Sequence, residues 1–285
     1  LIGALDPDED MVASGVLGDE HMTEFGKGEA MMMSPPAKPY RFDLPTRTEK
    51  ERGFLQRLEE LAQQSQTTNV ERFAAFPLWA PRQNVSRFLA QWEVYRHVLE
   101  VHGSVIECGV AFGGGLMAWA HFASILEPVN HTRKCVGFDT FSGFPGMGAA
   151  DAKAESGLAY AGGMATPLDG EIAKLAALHD TNRPIGHIPR VELVKGDACE
   201  TIPVYIKANP HLVVALLVLD FDIHAPTAVA VREFLPLMPK GAVIVFDEVN
   251  CKDWPGETQA ILDILPSLRL RRFPWVSTMS YAVLE

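Results

Sequence analysis

The chain has 285 residues, 47% of them hydrophobic and 21% charged, which suits a folded protein with a sizeable core and excludes a disordered one. A formal net charge of −11 argues against a partner such as nucleic acid or an anionic membrane, and no apolar run approaches the roughly 20 residues of a membrane span. The four cysteines, Cys108, Cys135, Cys199 and Cys251, lack CxxC spacing, and the start of the chain lacks a basic-then-apolar pattern, so the expectation is a reduced, cytoplasmic protein.

Residues 1–40 carry eight acidic side chains against two lysines and show no sustained period, which predicts an acidic flexible tail. Residues 41–101 read as a helical N-terminal extension. One helix is expected over 46–66, with Phe54, Leu55, Leu58 and Leu61 on a stripe, and a second over 83–101. The second stripe includes Phe88, Trp92 and Tyr95, more aromatic area than one sheet face usually takes, so it is also expected to meet another copy of the chain in a homo-oligomer. From residue 102 the text changes to short apolar runs at 104–107, 135–139, 190–194, 212–222 and 242–247, with helical stretches at 116–126 and 227–237 between them. Strand alternating with helix predicts an α/β fold: a doubly wound, Rossmann-like, mainly parallel sheet. Two runs at 269–275 and 278–284 are expected to close it with an antiparallel C-terminal edge. The segment 141–189 is far longer than the ~2–6 residues of an ordinary connection, and is expected to form a lid around a helix at 169–179.

The most informative string runs from Ser104 through Glu107 and Gly109 to Gly113, Gly114 and Gly115. A strand ends in an acid, and a glycine-rich turn leads into a helix. This is not GxGxxG, since three residues separate Gly109 from Gly113, and no lysine follows as in a phosphate-binding loop. An acid before the turn disfavours a pyrophosphate and suits an ammonium-bearing ligand such as S-adenosylmethionine. Asp139 closes the next strand, where a carboxylate can accept both hydroxyls of a ribose. Asp197 closes the following one and can meet an adenine amino group. Each alone is a weak signal, because strand-end Asp also caps helices; three acids behind successive strands carry the reading.

Further on, Asp220 and Asp222 lie two apart, toward one side at a predicted strand end, with His224 just beyond. Asp247 and Glu248 close the next strand. Four converging carboxylates repel unless they hold a cation or share a proton, and oxygen-only ligands select Mg²⁺ or Ca²⁺. His224 is either a second base or a contact to the acceptor.

These residues resemble the macrocin O-methyltransferase-like family of class I methyltransferases, which act on sugars in antibiotic biosynthesis. The likeness is carried by Glu107-x-Gly109-x-x-x-Gly113-Gly114, Gly137-Phe138-Asp139-Thr140-Phe141-x-Gly143-Phe144-Pro145, Asp220-x-Asp222, Pro226-Thr227 and Asp247-Glu248. It implies an S-adenosylmethionine site at Glu107, Gly109, Gly113, Asp139, Ser142 and Asp197. It also implies a Mg²⁺ held by Asp220, Asp247 and Glu248, with Asp222 as the base and a sugar-type small molecule as acceptor. Position 224 is His where such sequences often have Tyr. The rivals are a catechol acceptor, a dehydrogenase, and a protein that binds S-adenosylmethionine without turnover. Asp222 is expected as the base, with Asp220 or His224 as the alternatives.

Overall fold

A computed structural model describes residues 48–285, and the acidic tail expected over 1–40 lies outside the described residues. The extension begins with helix α1 (Glu49–Gln64), opened by a capping box in which Thr48 and Glu51 satisfy each other's backbone N–H groups. The short helices α2 (Asn69–Ala74) and α3 (Phe76–Trp79), which periodicity does not reveal, lead into α4 (Arg82–His97). None of α1 to α3 buries a residue. Helix α4 does, through Ala90, Val94 and Tyr95, because its aromatic stripe turns inward. Tyr95, Trp92 and Phe88 all pack on Phe122 of the next helix. Of the aromatic stripe, Tyr95 is thereby buried and Trp92 half-buried, while Phe88 stays 37% exposed.

The sheet follows as β1 (Ser104–Cys108), α5 (Gly114–Leu126), β2 (Cys135–Asp139), α6 (Asp169–Asp180), β3 (Val191–Lys195), α7 (Ala198–Ala208) and β4 (Val214–Leu219). Then come α8 (His224–Phe234), β5 (Val243–Phe246), α9 (Pro255–Ile264) and the edge strands β6 (Arg271–Arg272) and β7 (Ser280–Val283). The strand order is β3-β2-β1-β4-β5-β7-β6, parallel except for β7 and β6. The doubly wound sheet with an antiparallel edge is therefore as the sequence predicts. Its order reverses between β1 and β4, where open α/β sheets form a ligand crevice.

Alternate residues of the central strands feed two separate cores. Val105, Val243 and Val245 join the α4 and α5 side, whereas Ile106, Ile244 and Phe246 join the α7 to α9 side. That period of two decides where Glu107 points: it shares the face of Val105, toward α5, and not the strand end. Strand β4 also stops at Leu219, three residues earlier than the apolar run suggests, so the alternation does not extend through Asp220 and Asp222.

Candidate active site

A cleft lies across the carboxyl ends of β1 to β4, where open α/β sheets bind their ligands. Gly109, Asp139, Gly196 and Asp197 line one side, Asp220 and Asp222 the other, and Phe144, Pro145 and Met164 of the insertion close over it.

The glycine turn explains itself in two contacts. Gly109 has φ +96°, and a Cβ there would stand 2.0 Å from the carbonyl oxygen of Asp220, so only glycine lets the ends of β1 and β4 meet. Gly113 has φ +80° and forms the left-handed entry to α5. The Asp139 carboxylate ties the turn down: one oxygen accepts from the N–H of Val110 (2.8 Å) and Ala111 (2.9 Å), the other from Phe141 (2.6 Å). Asp197 caps α7 by accepting from Cys199 N–H at 2.9 Å and still borders the cleft.

Three residues assigned to the site from sequence stand apart from it. Glu107 is 3% exposed, with its carboxylate under the first turn of α5, accepting from Trp119 Nε1 at 2.6 Å and from Leu116 N–H. Burial pushes its pKa up to about 8, opposed by the Trp119 hydrogen bond and by Arg87. Gly115 leaves room for that carboxylate, since a Cβ would sit 2.7 Å from its Oε2. Ser142 is exposed on the turn after Asp139 and is not among the residues lining the cleft. The His224 ring faces Asp263 of α9, Nε2 to Oδ2 3.2 Å, away from the cleft lining.

Asp220, Asp222, Asp247 and Glu248 do converge. Asp222 has φ +64° and is 8% exposed, and among the described residues no hydrogen bond to its carboxylate is found. Burial, then Glu248 and Asp247, raise its pKa well above the ordinary carboxylate range. Glu248 is pushed up to about 7 by burial and by Asp247.

Three further residues belong here that sequence reasoning missed. Arg87 of α4 spans two strand ends, Nη1 to Asp247 Oδ1 2.6 Å and Nη2 to Asp220 Oδ2 2.9 Å. Glu257 of α9 is 0% exposed; its Oε1 accepts from Glu248 N–H at 3.1 Å and its Oε2 has no partner. Asp151, in the insertion, accepts from Gly148 N–H and His224 N–H, both at 2.9 Å, and so ties the insertion to the start of α8. Gly256 admits it, as a Cβ there would fall 1.8 Å from Asp151 Oδ1. His224 therefore meets the insertion through its main chain. Arg87 lies 133 and 160 residues from its partners, beyond any local pattern. Glu257 had a faint signal, an acid in the first turn of a helix whose opening Trp254-Pro255-Gly256 is legible.

The donor chemistry of Asp220, Asp247 and Glu248 fits a hard cation. Among the described residues, however, no group of three or more His, Cys, Asp or Glu side chains is arranged to hold a metal ion. A guanidinium bridges two of the candidate ligands.

A doubly wound sheet with a glycine turn, a strand-end acid behind β2 and a cleft at the switch point defines a class I methyltransferase architecture. No family profile matches the chain, and no curated protein matches it by sequence. Among solved structures it is similar to CalS11, a calicheamicin methyltransferase, at 33% identity over 83% of this chain and 93% of that one, with a TM-score of 0.79. It matches the apo form of CalS11, described as a TDP-rhamnose 3'-O-methyltransferase of calicheamicin biosynthesis, at 32% identity over 83% and 95% of the two chains, with a TM-score of 0.72. The O-methyltransferase NovP shares the fold at 21% identity over 70% and 79%, with a TM-score of 0.53. The chain belongs to the macrocin O-methyltransferase-like family of S-adenosylmethionine-dependent O-methyltransferases.

Proposed function

We propose that the enzyme methylates a hydroxyl of a sugar-type small molecule, such as a nucleotide-linked or natural-product deoxysugar. The observation that carries this reading is Asp222: a buried carboxylate without a hydrogen-bond partner, in a strained backbone conformation, at the acid end of the cleft. The similarity to a TDP-rhamnose 3'-O-methyltransferase supports the acceptor class.

S-adenosylmethionine supplies an electrophilic methyl group. The chain's task is to hold it, with Asp139 and the turn at Gly109 to Gly113 against its ribose end and Asp197 toward its base. Glu107 contributes from below by fixing the first turn of α5. The acceptor hydroxyl then lies against Asp222, which takes its proton as the methyl is transferred. A raised pKa makes Asp222 a stronger base once it is ionised; burial raises it first, then Glu248 and Asp247, which with Asp220 are the acids proposed to hold Mg²⁺. Such a cation, when bound, lowers the pKa of a nearby hydroxyl. Asp151 keeps the lid on the same framework and excludes water.

The test is turnover of S-adenosylmethionine against a panel of nucleotide deoxysugars and catechols, with and without a chelator. Methylation of the sugars that is lost on chelation and restored by Mg²⁺ supports the whole reading. Catechol methylation alone overturns the acceptor class; chelator-resistant turnover overturns the metal. Homo-oligomerisation is part of the proposal, supported by the apolar side chains that α2 and α3 leave exposed, Val70, Phe73 and Leu78 among them, and light scattering reads it directly. Four free cysteines fit a reducing, cytoplasmic setting.

A further inference from the structure

With no hydrogen bond to its carboxylate among the described residues, Asp222 takes its aim from its backbone. That backbone is left-handed, φ +64°, and a residue other than glycine stays there only where its surroundings over-determine it. On the β4 side the turn is anchored by Asp220 N–H, which donates to the Cys108 carbonyl at 2.8 Å. Within the turn, Ile223 N–H donates to the Phe221 carbonyl at 2.7 Å, and the buried Thr227 hydroxyl to the Ile223 carbonyl at 2.8 Å. The α8 side has a different anchor. Ile223 stands at the N-cap of α8, where its side chain cannot accept a hydrogen bond, so the helix has no local cap. Asp151 supplies one from the insertion: its Oδ1 accepts from His224 N–H at 2.9 Å, across 73 residues of chain and two residues beyond Asp222.

Asp151 is itself firmly held. It is 4% exposed, and its Oδ2 accepts from Gly148 N–H at 2.9 Å. Gly256, in the first turn of α9, closes over the junction, since a Cβ there would lie 1.8 Å from Asp151 Oδ1 and 2.6 Å from His224 N. Close by in the chain, Glu155 N–H donates to the Lys252 carbonyl at 3.2 Å. Phe144, which lines the cleft, packs on Trp254 with ring centroids 5.5 Å apart. One wall of the cleft and the turn that carries Asp222 thus share a framework.

We infer that Asp151 is the positioning residue of the base: by capping α8 from the insertion, it holds the turn that aims Asp222 into the cleft. The inference rests on the proposed role of Asp222, and adds that the insertion sets where the base stands. Asp151 touches neither cofactor nor acceptor and acts through Asp222 alone.

The experiment measures initial rates with S-adenosylmethionine, Mg²⁺ and TDP-rhamnose as the acceptor probe. It compares the native protein with Asp151→Ala, Asp151→Asn, Asp222→Asn and the double variant Asp151→Ala with Asp222→Asn. Rates are taken per S-adenosylmethionine-binding site, counted by calorimetry, so that misfolded protein does not weigh on kcat. Asp151→Ala should lower kcat by about 10- to 100-fold, the scale of a displacement of roughly 1 Å at a reacting group, with KM for S-adenosylmethionine nearly unchanged. Asp151→Asn should recover most of the loss, because its amide oxygen can still accept from His224 N–H. In the Asp222→Asn background, loss of Asp151 should cost little more, as expected of residues that act as a unit. A near-native kcat in Asp151→Ala, or a full further loss in the double variant, overturns the positioning role and leaves Asp222 as the base. Native turnover by Asp222→Asn overturns the base, and no turnover by the native protein overturns the sugar reading; either result takes the inference with it. Should Asp151→Ala fail to fold, Gly256→Ala replaces it, keeping the carboxylate but setting a methyl where Oδ1 now lies. The same loss of kcat is expected there, and a native kcat overturns the inference.

Discussion

On the β1 to β3 side of the cleft, Asp139 and Asp197 are satisfied by main-chain N–H groups of neighbouring turns. On the β4 to β5 side, Asp220 and Asp247 share a guanidinium from a distant helix, and among the described residues Asp222 has no hydrogen-bond partner and Glu257 keeps a buried oxygen unpaired. The first side is complete as folded protein. The second holds carboxylates close enough to raise one another's pKa values, as Glu248 and Asp247 do to Asp222. Stability shapes the cofactor side, whereas the acid side is left crowded with carboxylates that disfavour one another's charge and short of partners, which is how a site waiting for a ligand differs from a capped turn.

The sharpest way to break this contrast is Asp222→Asn. The amide keeps the shape but cannot take a proton, so turnover should fall by about 10²–10⁴-fold while S-adenosylmethionine affinity is kept. Turnover within a few-fold of native would remove Asp222 as the base and return the role to Asp220. Asp139→Ala tests the other side. It strands the N–H groups of Val110, Ala111 and Phe141, and should weaken S-adenosylmethionine binding by ~1–3 kcal/mol, roughly 5- to 150-fold. Calorimetry on the folded variant checks it, and unchanged affinity would make Asp139 a loop fastener only. Asp151→Ala sharpens the comparison, because this residue joins the lid to the acid side. Losing acceptors for Gly148 N–H and His224 N–H should lower stability by ~1–2 kcal/mol. In a chain of this size that is a fall in Tm of a few degrees, roughly 2–4 °C per kcal/mol. An unaltered melting curve would mean that the staple carries no weight.

The same division decides what could be read from sequence. The sheet, its antiparallel edge and the α6 helix in the insertion were legible because strand and helix periods are local and strong. So was the turn at Gly109 to Gly113, whose dihedrals demand glycine within a few residues of the strand that precedes it. Arg87 and Asp151 were not, since each acts across the fold on partners that no spacing reveals, and Glu257, nine residues from Glu248, offered only the faint signal of an acid in a helix's first turn. Two errors came from extending local rules too far. Treating residues 212–222 as one strand put Asp220 and Asp222 on a common face, when β4 ends at Leu219 and Asp222 sits in a left-handed turn. Reading Glu107 as a strand-end residue turned it toward the ligand, when the alternation that buries Val105 also sends Glu107 under α5.

Glu107 gives the smallest predicted effect, and it separates a buried structural acid from one that touches the ligand. Its folded pKa of about 8 lies above the ~4.3 of an unfolded glutamate, because burial disfavours the charged form. Between those two values the unfolded chain gives up a proton that the folded chain keeps, so the folded state loses stability as pH rises from about 4.3 to 8. Glu107→Gln has no such titration. Its amide oxygen can still accept from Trp119 Nε1, and the space left by Gly115 still takes the side chain. The variant should therefore fold, and its Tm should decline less steeply than the native Tm between pH 5 and pH 8, with the gap widening toward pH 8. S-adenosylmethionine affinity should change little, since the carboxylate is sealed beneath the helix. Parallel Tm curves would mean that Glu107 is ionised in the folded protein throughout that range. A large loss of cofactor affinity in a stable variant would show instead that its charge is felt in the cleft, through the first turn of α5 that it supports.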